Sequence, residues 1–154
     1  MRKYTNICMG ELAGELCAGF MRLRRGYVDA SELMSRMVEA GRSYPFECVF
    51  FCLTGYRPPP GQVSEGMLQG KGLLGDLQSL MFDVCDSFEL FTTDYQEPVF
   101  DTPSLARRFN ISTKTVQRWR RRGMPSRKLV FPDGKRRVAF LESSVQWFTD
   151  NHLR

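Results

Sequence analysis

One histidine, His152, stands in 154 residues. That scarcity removes paired-histidine metal sites and leaves no nucleophile–base pair in view. Five cysteines are present: Cys8, Cys17, Cys48, Cys52 and Cys85. Their number is odd, they sit in apolar runs and no CxxC occurs. Cys48 and Cys52 share one helical face, half of a metal site with nothing to complete it. Buried, reduced thiols are expected, with no metal and no cofactor. After Arg2 and Lys3 there is no apolar core of signal-peptide length, and residues 46–53 are too few to span a bilayer. The expectation is a cytoplasmic protein without a membrane partner. A phosphate loop is also missing. Residues 70–76, GKGLLGD, lack both the GxxxxGK[ST] spacing and a preceding strand, and read as a glycine–hydrophobic linker. An enzyme is not expected.

What is present is an ordinary globular balance, 42% hydrophobic and 25% charged, sized for one or two small domains. The formal net charge of +5 is uneven. From residue 99 onward there are 13 basic and 4 acidic residues, net +9, against −4 for the remainder. This asymmetry assigns nucleic-acid contact to the C-terminal part. The expected division is a helical domain over 1–90, a linker over 91–98 (FTTDYQEP), and a DNA-binding domain over 99–154.

Residues 102–122, TPSLARRFNISTKTVQRWRRR, carry the clearest pattern. Thr102 is expected to N-cap a first helix with Pro103 in its first turn. Leu105, Ala106 and Phe109 give that helix an apolar face. Asn110 suits the left-handed residue that ends a helix, and Ile111 plugs the turn. Ser112 then N-caps a second helix, held inward by Val116 and Trp119 and stopped by Gly123. Its other positions are polar or basic: Thr113, Lys114, Thr115, Gln117, Arg118, Arg120, Arg121 and Arg122. Such a helix suits a major groove, because Arg and Lys neutralise phosphates while Arg and Gln present forked groups to base edges. A solvated basic helix is the plain alternative.

Next, residues 129–131 and 138–140 read as two short strands around a Pro132-Asp133-Gly134 turn. This hairpin carries Arg127, Lys128, Lys135, Arg136 and Arg137. A last helix, Glu142 to about Asn151, turns Val145, Trp147 and Phe148 inward. The candidate DNA-binding set is therefore Ser112, the eight polar positions named above, and these five hairpin cations.

Ahead of residue 99 the pattern is helical. A first helix is expected over 6–24, with Ile7, Leu12, Leu16, Phe20 and Leu23 inward and Gly26 at its end. A second runs from a cap at Asp29 or Ser31 to Ala40, with Leu33, Met34, Met37 and Val38 inward. A third begins at Pro45 (PFECVFFCLTG), apolar nearly all round and so expected to be buried. Residues 56–61 must be non-helical. A fourth spans 73 to about 88, with Leu73, Leu77, Leu80, Met81 and Val84 inward. The fold class is mostly α, a helical domain followed by a winged helix-turn-helix with one β-hairpin.

SLARRFNISTKTVQRWRRRGMP, then RKLVFPDGKRRVAF, then LESSVQWF, resembles the excisionase/MerR-like winged helix-turn-helix group over residues 101–152. A longer resemblance adds Ser43-Tyr44-Pro45-Phe46-Glu47-Cys48-Val49 and Leu53-Thr54-Gly55-Tyr56-Arg57-Pro58. With these, most of the chain is similar to the N-terminal region of sigma-70-family factors from planctomycete bacteria. The chain ends at Arg154, and the sigma segments that bind polymerase core and melt promoters are absent. Those activities are not carried over, and a stand-alone relative or a fragment of a longer protein both fit.

The leading expectation is double-stranded DNA binding in transcription regulation or initiation. The N-terminal helices would then contact RNA polymerase or another copy of the chain. The alternatives are an excisionase-like architectural or recombination accessory protein, and a protein-interaction adaptor.

Overall fold

The computed structural model describes residues 2–59 and 66–153. Pro60 and Gly61, the end of the stretch expected to be non-helical, lie outside the described residues. The chain is mostly helical with a C-terminal hairpin, and it divides into two compact units, Met1–Phe88 and Glu89–Arg154.

The first unit contains α1 (Ile7–Ala18), α2 (Met21–Met37), β1 (Ser43–Pro45), α3 (Phe46–Thr54), β2 (Met67–Gln69) and α4 (Gly70–Asp86). The expected inner stripe of α4 is correct, and Leu73, Leu77, Leu80, Met81 and Val84 are all fully buried. Each such side chain contributes about 1.5–3 kcal/mol by leaving water. Met9, Leu12 and Leu16 of α1, Val28 and Met34 of α2, and Val49 and Leu53 of α3 complete this core.

The expected helix over 6–24 is instead two helices. The chain extends at Gly19 and Phe20, and the buried Arg24 accounts for the break. Its guanidinium donates to Gly19 O at 3.0 Å and to Ser87 O at 2.7 Å. A buried guanidinium needs such acceptors, and a frayed α1 end provides one. α2 then runs through Gly26. Asp29 and Ser31 lie inside it rather than capping a later helix, and Ser31 Oγ donates to Tyr27 O at 2.8 Å. The shifted phase turns residues expected inside to solvent: Ile7 is 81% exposed and Met37 72%, and Phe20, Leu23 and Leu33 are also exposed.

α3 buries only one face; Phe51, Cys48 and Cys52 are exposed. Among the cysteines Cys85 alone is buried, which corrects the expectation of buried thiols for the others. Residues 70–76 are not a linker but the first two turns of α4. β1 and β2, which the sequence pattern did not suggest, pair antiparallel with Tyr44 opposite Leu68. Gly70 follows directly, and its N–H donates to Arg42 O at 2.7 Å. A Cβ at Gly70 would lie 1.9 Å from Glu39 O, so only glycine fits this crossing.

The second unit contains β3 (Val99–Phe100), α5 (Thr102–Phe109), α6 (Thr113–Arg121), β4 (Arg127–Val130), β5 (Arg136–Leu141) and α7 (Glu142–His152). Its sheet has the order β3-β5-β4, with both pairings antiparallel. Leu105, Ala106, Val116, Trp119, Met124, Phe140, Val145 and Phe148 form its core. Residues 91–98, expected to be a linker, are built into this unit. Val130 N–H donates to Leu90 O at 2.8 Å, Phe91 bridges Val130, and Glu142 N–H donates to Pro98 O at 3.0 Å. Backbone donors along β4 need acceptors, and this segment supplies one.

No helix among the described residues is long and apolar enough to cross a membrane.

Candidate nucleic-acid interface

α5 is capped by Asp101, one residue earlier than expected. Its carboxylate accepts Ser104 N–H at 2.9 Å, and Ser104 Oγ accepts Asp101 N–H at 2.9 Å. This reciprocal box places Thr102 and Pro103 inside the first turn. Burial pushes the Asp101 carboxyl up, but the Ser104 bonds, with Arg137 and Arg107 nearby, outweigh burial and hold it below the usual range. Asn110 ends the helix in the left-handed region, at φ 53°. Ile111 N–H then donates to Ala106 O at 2.9 Å, and the Ile111 side chain packs on the core.

Ser112 caps α6 as expected, accepting Thr115 N–H at 3.1 Å. Val116 and Trp119 anchor the helix. Trp119 meets Phe109 edge-on at 5.8 Å and lies tilted against Phe148 at 5.7 Å. At 100° per residue, the face opposite these anchors holds Lys114, Gln117, Arg118 and Arg121, with Thr113 on one flank. Lys114, Arg118 and Arg121 are exposed and Gln117 is half-buried. No Asp or Glu occurs from Thr102 to Pro132, whereas nine Lys and Arg do, so the local chain offers these cations no counter-charge.

The other members of the expected set are placed differently. Thr115 faces sideways, its hydroxyl 3.1 Å from that of Ser112. Arg122 folds back, donating to His152 O at 2.6 Å over the Phe148 ring. Beside it, burial and the Arg122 charge pull the His152 imidazole below its usual pKa. Arg120 is half-buried and donates to Gln117 Oε1 at 2.9 Å, and burial pulls its guanidinium down.

Arg127 is a correction. It is 1% exposed, bonds the Tyr95 hydroxyl and lies 4.9 Å over the Tyr95 ring, so it cannot reach a ligand. The alternation of β4 explains this, since Arg127 shares its buried face with Leu129. Lys128, on the other face, is half-buried opposite Val138.

At the hairpin tip Gly134 takes φ 82°, which sets the tight turn. Lys135 and Arg136 are exposed. Arg137 is drawn back into an ion pair with Asp133 and lies 5.4 Å over the Phe131 ring. The Arg137 bonds, and a bond from Lys135 N–H, hold the Asp133 carboxyl below the usual range. Arg136 and Arg137 face opposite sides of β5, as strand alternation requires, since Arg136 pairs with Val130 and Arg137 with Leu129.

Chemically, the outward face of α6 is a set of hydrogen-bond donors and fixed positive charges, with a second cationic point at Lys135. The Asp101–Ser104 box, the Arg127–Tyr95 pair and the Gln117–Arg120 bond were not anticipated. Of these, only the box had a sequence signal, an acid three residues before Ser at a helix start. Compared with protein families, with curated proteins and with solved structures, the chain matches none.

Proposed function

We propose that the second unit binds double-stranded DNA as a winged helix-turn-helix, with α6 in the major groove and the Lys135 tip on the flanking backbone. The observation that carries this reading is the α6 face of Lys114, Arg118 and Arg121, exposed and without an acid nearby in the chain. Cations held on a capped, core-anchored helix neutralise phosphates without first breaking an internal pair. The chain acts as a cytoplasmic DNA-binding protein in transcription control rather than as an enzyme. The sigma-like and MerR-like resemblances of its motifs support that setting.

The first unit serves to join two copies. α2 carries Leu23, Gly26, Leu33 and Met37 on one outward stripe, all four exposed. A nine-residue α6 spans about 13 Å of groove, a short site that a second copy would double.

The test is anisotropy of the full chain with a labelled random-sequence duplex across a salt series. Log affinity should fall linearly with log salt. Absence of binding at the lowest salt would end the proposal. Sedimentation of the wild type beside Met37→Asp checks the second part; dimers are expected for the wild type and monomers for the variant.

A further inference from the structure

Gln117 presents its amide in one orientation. Its Oε1 accepts Arg120 Nη1 at 2.9 Å. A guanidinium can only donate, so the amide oxygen must be the atom turned to Arg120 and Nε2 the atom turned away. Arg120 is half-buried against the unit, so the oxygen is held at the flank of α6, and Nε2 has no partner among the described residues. Around it stand Lys114, Arg118 and Arg121, each able to donate and none to accept. The reading face therefore consists of donors, with the Thr113 hydroxyl and the Arg120-bound Gln117 oxygen as acceptors on its flanks.

Major-groove edges sort against such a face. Guanine shows two acceptors, N7 and O6. Adenine shows one acceptor beside the N6 amino donor, cytosine shows the N4 amino donor, and thymine shows O4 beside a methyl group. A free Gln amide pairs with adenine by accepting from N6 and donating to N7. Here Arg120 holds the oxygen at the flank of the helix, which turns the donating Nε2 rather than the oxygen to the base edges. From Lys114 to Arg121 the helix rises about 10 Å, close to three base-pair steps.

We infer that α6 reads a short run of guanines on one strand of duplex DNA, and that Arg120 is a positioning residue that sets Gln117 to donate to guanine rather than to bracket adenine. This rests on the DNA-binding reading above.

The experiment is competition binding of the full chain to duplexes of equal length that differ only at three central pairs. These are a guanine run, the same run built from 7-deazaguanine, an adenine run and a mixed sequence. The guanine run should bind roughly 10-fold tighter than the adenine run, and loss of N7 should remove most of that preference. Arg120→Met keeps the buried stem and releases Oε1, and it should narrow the guanine-to-adenine ratio several-fold. Gln117→Glu, which replaces donors by acceptors at an outward position, should shift preference toward cytosine on the same strand. Equal binding of all four duplexes, or a preference for adenine, overturns the guanine inference while DNA binding stands. An unchanged ratio in both variants overturns the role given to Gln117 and Arg120. Failure to bind any duplex removes the underlying reading instead.

Discussion

α2 and α6 each carry four cations, yet they use them in opposite ways. On α2, Arg24 is buried against backbone carbonyls, Arg25 lies 3.7 Å from Asp29, Arg36 lies 3.8 Å from Glu32, and Arg22 covers the Phe20 ring. On α6 only Arg120 is spent internally, on Gln117, while Lys114, Arg118 and Arg121 stand out from the helix. The number of cations is thus a poor guide to a polyanion surface. What separates the two helices is whether an acid, a carbonyl or an aromatic ring within reach has already answered each charge.

The largest effect expected tests the apolar side of α6. Trp119→Ala should lower stability by about 3–5 kcal/mol, as truncation of buried Trp usually does, read by chemical denaturation. A near-wild-type midpoint would mean that α6 is not anchored through Trp119.

Next in size is the direct comparison of the helices. Arg118→Ala and Arg121→Ala should each cost about 1–3 kcal/mol of binding to a preferred duplex. Arg25→Ala and Arg36→Ala on α2 should leave binding unchanged. Equal losses from the two helices would erase the distinction between answered and unanswered cations.

Asp101→Ala should cost about 0.5–2 kcal/mol of stability at neutral pH through the lost cap. The folded carboxyl is held below its ordinary value, so its stabilisation is present above the unfolded pKa and fades as pH falls through the folded one. The wild-type and variant stability curves should therefore converge in acid. A gap that persists there would assign the cost to packing instead.

The smallest effects lie at the hairpin. Lys135→Ala should flatten the slope of log K against log salt by about 1 unit, and Arg137→Ala by less, because Asp133 already holds Arg137. The reverse order would mean that the Asp133 pair opens on binding and that Arg137 is the hairpin's main contact.

Local signals were the legible ones. Asn110 at a left-handed turn, Ser112 at a cap, the Val116–Trp119 spacing and the Pro132-Asp133-Gly134 turn all depend on neighbours within a few residues, and each is where the sequence put it. The buried stripe of α4 was legible for the same reason. Long-range partners were not. The α1–α2 break depends on Arg24 meeting Ser87, 63 residues away, and the burial of Arg127 depends on Tyr95, 32 residues before it. In the candidate site, the cations of residues 114–122 were visible as a group, but which ones point outward and which bend back depends on His152 and Gln117, and no composition reveals that.

The packing of residues 90–95 along β4 decides where this chain can be cut. A fragment begun at residue 99, the boundary suggested by charge alone, would strip Leu90 from the outer side of β4 and Tyr95 from Arg127. Bare strand edges recruit other strands, and a buried cation that loses a hydrogen-bond acceptor favours opening of the hairpin. Such a fragment would self-associate, whereas one begun at or before Glu89 would keep its own edge covered.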